Sequence, residues 1–212
     1  MSPIWFPGMV HASDFADSES GPKPLRPPGF WIWPSVIVVA VVIGTVIRLR
    51  SQGRLWICEC GEVYLWAGDV WSSNNSQHIA DPYTLTHLLH GVMFFWVLTV
   101  VAGRFQPIWQ LVTAVTAEAL WEIVENSRFI IDRYREVTIA LGYEGDTIIN
   151  SLADITICGI GFGISRYLGV RRSIYLFTFT EVLLVIWIRD SLILNIIMLI
   201  YPVESILNWQ MG

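Results

Sequence analysis

The chain has 212 residues, of which 54% are hydrophobic and only 15% charged, with a formal net charge of −5. An ordinary soluble domain is about a quarter charged; a mean hydropathy of +0.53 and several long apolar runs exclude that class and select a multi-pass membrane protein. The acidic balance and the lack of a basic arm argue against nucleic acid as a partner, and leave the lipid bilayer as the expected one.

The apolar runs are too long and too uniform for tilted barrel strands. The expected fold is therefore all-α: an integral membrane helical bundle of about five transmembrane helices. Eleven tryptophans fit interfacial anchoring.

Residues 1–30 are rich in Pro, Gly, Ser and Asp and read as a flexible polar tail. The membrane domain is expected over 31–202, followed by a short C-terminal tail at 203–212. The first span is 31–47, with Pro34 suited to a first helical turn. Residues 48–84 form the longest connection. Strand-forming residues flank Cys58-Glu59-Cys60-Gly61, which predicts a small hairpin there. The second span is 84–102, with His87 and His90 in its first turns. The third is 108–124 and carries Glu118 and Glu122 near its far end. The pattern after Glu125 predicts an amphipathic helix lying at the membrane surface. Asp146 and Thr147 precede the fourth span, 147–168, where Gly159, Gly161 and Gly163 allow close helix approach. The fifth span, 174–200, is longer than the about 20 residues a crossing needs, and the pattern predicts tilt or a break near Arg189.

Chain direction places the polar residues. Let X be the side on which the first span ends. His87 and His90 then start the second span at X, and Glu118, Glu122 and Glu125 end the third there. Asp146, Asn150 and Asp154 start the fourth, and Arg189, Asp190 and Asn195 lie in the X half of the fifth. The loop bearing Cys58, Cys60 and His78 also lies on X. Lys and Arg number six on each side of the membrane, so the positive-inside rule assigns no orientation. The short loop with Arg171 and Arg172 tilts the reading towards X outside the cytoplasm.

A carboxylate at the membrane centre costs about 2.5–3.5 kcal/mol on insertion scales, so this cluster needs protons, Arg partners, water or a metal. The sharp reading is a site for a divalent metal (Zn, Fe or Mn), with His87, His90, Glu118 and Glu122 as ligands at helical spacing. Asp146, Asn150 and Asp154 would orient those ligands or act as general acid and base. Arg133 and Arg189 would hold an anionic group or balance charge. Glu125, Asn126, Asp190 and Asn195 complete the polar set. The plain reading is a structural network of His–Glu and Arg–acid pairs. A third reading is a cavity for transport or proton relay; five spans are few for a transporter, so it calls for a homodimer. Cys58, Cys60 and His78 are an incomplete ligand set, and packed loop thiols are the simple expectation. Cys158 reads as a small buried hydrophobe. Asp190 reads as one half of an ion pair with another helix.

Five blocks carry a family resemblance. They are ICECGEVYLWAG, SSNNSQHIADPYTLTHLLHG, EALWEIVENSRFIIDRYR, GYEGDTIINSLAD and IRDSLILNIIMLIYP, in that order over most of residues 55–202. The chain resembles the bacterial multi-pass membrane proteins of domain-of-unknown-function family 2585. That resemblance implies a bacterial inner-membrane location and an all-helical, multi-span fold. It implies no activity and supplies no catalytic residues. More distantly, the placement of His, Glu and Asp-Asn near successive span ends is similar to small membrane families of the VanZ-like kind.

Overall fold

The computed structural model describes residues 30–138 and 142–212. Apart from Phe30, the expected polar tail lies outside these. Seven helices follow one another: α1 (Ile32–Ser51), α2 (Thr84–Val101), α3 (Pro107–Glu125), α4 (Arg128–Val137), α5 (Ile148–Ile188), α6 (Leu192–Ile200) and α7 (Glu204–Met211). There is no strand among the described residues. Three helices, α1, α2 and α5, are long and apolar enough to cross a membrane.

At 41 residues, α5 would be about 60 Å long if straight, twice the hydrocarbon core of a bilayer. It reverses instead. Gly169 takes φ +76° and ψ 166° between two helical legs, 148–168 and 170–188. The contacts along α2 show the reversal. Going down α2, His87 faces Asp154 and Phe95 meets Phe162 on the first leg. Trp96 meets Ser173 and Phe177 on the second leg, and Tyr83 at the head of α2 meets Asp190 just beyond its end. Both legs therefore pack on α2 in opposite directions. Only glycine adopts this φ without strain.

Two glycines set how close α2 and the first leg come. A Cβ on Gly91 would overlap the carbonyl of Cys158, and one on Gly161 would overlap the carbonyl of Leu88. Gly159 makes only ordinary contact with Val115, and Gly163 faces open space. Buried layers of Phe95, Ala114 and Phe162, and of Val115, Ala119 and Ile155, join α2 and α3 to α5. Thr147 caps α5, its side chain accepting from Asn150 N.

The hairpin expected in 48–84 does not form. Its two sides are drawn to different partners. The carbonyls of Leu55 and Trp56 accept from the backbone N–H groups of Ile148 (2.8 Å) and Ile149 (3.2 Å), which satisfies donors that a helix start leaves open. On the other side Ile79 N donates to Tyr64 O (3.1 Å) and Ala67 N to Ala80 O (2.8 Å). The loop thus ties itself to α5 and to its own distal half.

The amphipathic helix is α4. Ser127 caps it, and Ile131, Tyr134 and Val137 form its buried face. The apolar run at 174–200 is interrupted where the pattern expects: Arg189 takes φ +54° and α6 starts afresh behind a Ser191 cap. The buried Glu181 carboxylate also accepts from Leu192 N (3.0 Å) and Ile193 N (3.2 Å). The C-terminal tail is helical, and buried Gln210 in α7 donates to Asp190 (3.0 Å).

Candidate functional site

The ends of α1 and α3 and the start of α5 meet at one end of the bundle. Gln52 donates to Ile123 O (3.0 Å), and the loop after α1 covers the start of α5. Side X, inferred from chain direction, is thus one continuous surface.

His87, His90, Glu118 and Glu122 converge there. Glu118 is fully buried and holds both imidazoles: its Oε1 lies 2.6 Å from His87 Nδ1 and 2.9 Å from His90 Nδ1. Spacing of three in α2 and four in α3 puts these side chains on facing sides of two antiparallel helices. With Nδ1 engaged by a carboxylate, each ring's Nε2 is the nitrogen free to act. His87 Nε2 points towards Asp154, 3.9 Å away. Glu122 Oε1 is 3.4 Å from His87 Nδ1.

Glu122, fully buried, accepts no hydrogen bond on either oxygen, and Asp154 accepts none on Oδ1. Asn150 Nδ2 and Glu125 Oε2 are also without partners. His87, Glu122 and Asp154 each offer an atom within 4.8 Å of the others, as do Glu122, Glu125 and Asp146. Buried carboxylates without hydrogen bonds are costly, and the donor set of imidazole and carboxylate suits Zn, Fe or Mn.

The expected arginine partners are elsewhere. Arg133 Nε donates to Leu199 O (3.2 Å) and Arg189 Nη1 to Trp209 O (3.5 Å). Both cover helix ends, where guanidinium groups answer open carbonyls. Among the described residues, the ion pairs that reach the cluster come from histidine alone. Asp190 likewise pairs with no cation; it accepts from Tyr83 Oη (3.0 Å), Ser191 N (2.8 Å) and Gln210.

Asp146, beside Glu122 and Glu125, has its own hydrogen-bond partners. It accepts from Asn126 Nδ2 (2.8 Å) and Tyr143 Oη (2.9 Å), and its own N–H donates to Asn126 Oδ1 (2.7 Å). Burial pushes its carboxyl up, and the bonds from Asn126 and Tyr143 oppose that. Burial, reinforced by Asp146, likewise pushes the Tyr143 hydroxyl up.

A cavity of about 460 Å³ opens beside the cluster. His87, His90, Asn150 and Asp154 lie on its polar side. Met93, Phe94, Leu120, Trp121, Ile196 and Leu199 form apolar walls, and Asn195 interrupts them. No Lys or Arg lines it among the described residues. Its roof is the loop 75–83, in which only His78 was expected among the polar site residues. There Asp81 accepts from Ser76 N (2.9 Å) and Tyr83 N (2.7 Å), and Thr84 Oγ1 accepts from Asp81 N (3.1 Å). The signal was available: Asp81-Pro82-Tyr83-Thr84 reads as a helix start. Burial raises the Asp81 carboxyl to about 6, against the backbone bond from Ser76.

Cys58 and Cys60, expected as loop thiols, are bonded to each other. His78 is buried beside them. Its Nδ1 accepts from Tyr64 N (3.3 Å) and its Nε2 has no partner. Cys158 is fully buried in α5 as a small hydrophobe.

The family model described as "Protein of unknown function (DUF2585)" matches residues 49–212. The chain belongs to the DUF2585 family. Its similarity to UPF0314 proteins extends over nearly their whole length. It is 45% identical to that of Brucella anthropi over 182 residues, covering 86% of this chain and 92% of the relative. For the Paracoccus denitrificans protein the values are 44%, 87% and 93%, and for the Rhizobium johnstonii protein 42%, 89% and 95%. No solved structure matches the chain. The family matched is the one the five sequence blocks resemble, and every cluster residue lies within the matched stretch.

Proposed function

We propose that this DUF2585 protein is a five-span protein of the bacterial inner membrane that binds a divalent metal and acts on a membrane-embedded small molecule. The spans are α1, α2, α3 and the two legs of α5, with α6 turned back beside the second leg after the break at Arg189. Helix α3 has 19 residues, enough to cross, and its acids all sit at the polar end. His87, Glu122 and Asp154 hold the metal. Glu118 orients His87 and His90. Asn150 and Asp146 flank the centre as hydrogen-bonding or acid–base groups.

One observation carries the reading. Buried Glu122 accepts no hydrogen bond on either oxygen and Asp154 none on Oδ1, and both side chains lie beside His87, so a cation would complete the open oxygens. When bound, the metal supplies Lewis acidity or an activated water. The adjoining apolar walls admit a hydrocarbon portion, and the polar side receives its reactive end.

Elemental analysis of oxidised, detergent-purified protein tests this. About one equivalent of Zn, Fe or Mn is expected, and His87→Ala or Glu122→Gln removes it while helical content persists. Protein that is metal-free under protective conditions, and takes up none of the three on titration, overturns the proposal.

A second reading keeps the cavity without a metal. His90, Glu118, His87 and Asp154 form a continuous chain of contacts, which suits proton or ion relay in a transport or assembly protein. Proton flux in vesicles without bound metal selects it.

A further inference from the structure

We infer that Cys58, Cys60 and His78 form a second metal site, for a thiophilic cation of the Zn2+ type, on the loop that roofs the cavity. The three side chains offer ligand atoms all within 4.8 Å of one another. His78 is 1% exposed, and its Nε2 meets no hydrogen-bond partner. With Nδ1 accepting from Tyr64 N, Nε2 carries the ring proton and meets no acceptor; moving that proton to Nδ1 would free Nε2 as a ligand on a ring close to two sulfurs.

The turn around the cysteines points the same way. Cys60 N donates to Cys58 Sγ (3.1 Å), and Gly61 N closes the turn on Cys58 O (3.0 Å). That N–H meets a disulfide sulfur here; in the reduced chain it stands where a Cys58 thiolate would accept it more strongly. Gly61, at φ +76°, supplies the left-handed bend. Cys58 is buried and Cys60 exposed, so a cation reaches the site from solution.

Two sulfurs and an imidazole select Zn2+ over Mg2+ or Ca2+. Three protein ligands leave a fourth position for water. The long Tyr64 N–H contact to His78 Nδ1, at 3.3 Å, gives way as the metal fixes the ring tautomer.

The site is available only in the reduced chain. A dithiol gives two electrons and two protons to the Cys58–Cys60 disulfide and becomes a disulfide itself. Zn2+ then displaces the two thiol protons. The bound cation ties the cysteine turn to the residues just before Asp81. Those residues are already anchored to α5: Thr147 N donates to Ser76 O (3.1 Å) and Thr147 Oγ1 to Gln77 O (3.2 Å). Metal at the loop thus braces the cavity roof.

Cobalt titration of the full chain in detergent tests the inference. Reduced protein is expected to take up one Co2+ more than oxidised protein does, with a thiolate-to-cobalt absorption band in the near ultraviolet, which Zn2+ abolishes by displacement. Oxidised protein shows no band. His78→Gln weakens the affinity at least about tenfold, and Glu122→Gln leaves the band unchanged, which separates this site from the carboxylate centre. Absence of the band in reduced protein, or its persistence in the Cys58→Ser/Cys60→Ser variant, overturns the proposal. If that variant does not fold, alkylation of the reduced native chain decides. Zn2+ is expected to slow modification of Cys58 and Cys60 at least about tenfold, and lack of protection counts against the site.

Discussion

Gly91 lies against the carbonyl of Cys158, one helical turn beyond the point where His87 faces Asp154. A Cβ at Gly91 would overlap that oxygen and lie 2.6 Å from Phe162 N. The approach of the two backbones therefore sets the distance between the two site residues. Gly91→Ala or Gly161→Ala forces the helices apart. Overpacking costs about 1–3 kcal/mol, and a clash with backbone belongs at the upper end. Thermal unfolding in detergent should show a lower midpoint for both variants, with weaker metal retention. Gly163→Ala, which meets open space, should be neutral or slightly stabilising. Equal effects at all three positions would remove the packing argument.

Glu118 touches both histidines and is expected to work through them. Glu118→Gln keeps the shape but loses the charge that holds two Nδ1–H groups at 2.6 and 2.9 Å. Loss of a carboxylate behind a ligating histidine typically costs 10–100-fold in metal affinity. Metal titration of Glu118→Gln should show a drop of about that size, with a smaller change in melting temperature than Glu118→Ala gives. Unchanged affinity would assign Glu118 to structure alone.

Much of this arrangement is legible in the sequence. Apolar runs located the helices, and counting chain direction brought His87, Glu118, Glu122 and Asp154 to one end of the bundle. That works because a crossing helix leaves little freedom in where its ends lie. The arginines were not legible. Arg133 and Arg189 cap carbonyls of α6 and α7, and a long side chain's choice between an acid and a helix end depends on tertiary placement. The hairpin failed for a related reason. Residues flanking Cys58 have strand propensity, but the open N–H groups of α5 claim Leu55 and Trp56, and propensity yields to such demands. In the sequence Glu181 is one acid in a long apolar run; its role exists only once the break at Arg189–Ser191 turns the start of α6 back to meet it.

Asp81 makes stability depend on pH. Its carboxyl is ordinary, near 3.8, in the unfolded chain and about 6 in the fold, with burial as the main cause. The folded state therefore holds the proton to higher pH. The contribution is fully present below about pH 4 and is lost as pH rises through about 6, amounting to about 3 kcal/mol. Asp146, also raised by burial, acts in the same direction. Unfolding measured from pH 4 to 7 should show native stability falling across this window, after allowance for other acids. Asp81→Asn should be less stable at pH 4, having lost an acceptor for Ser76 N or Tyr83 N, and should show a flatter profile. An identical slope in both proteins would assign the pH dependence elsewhere.

Glu181 holds the break that lets α6 form the cavity wall. Its two oxygens accept the N–H groups of Leu192 and Ile193, at a helix start that its partial positive charge makes receptive to an anion. Glu181→Leu leaves the buried N–H of Leu192 unpaired, costing about 1–3 kcal/mol, and strips the half-exposed N–H of Ile193 of its acceptor. Glu181→Gln keeps one acceptor oxygen and should lose less than half as much. Limited proteolysis near Arg189, with thermal inactivation in detergent, should rank native, Gln and Leu forms in that order of resistance. A Leu variant as resistant as the native chain would mean that Ser191, which also caps α6, suffices to hold the broken helix in place.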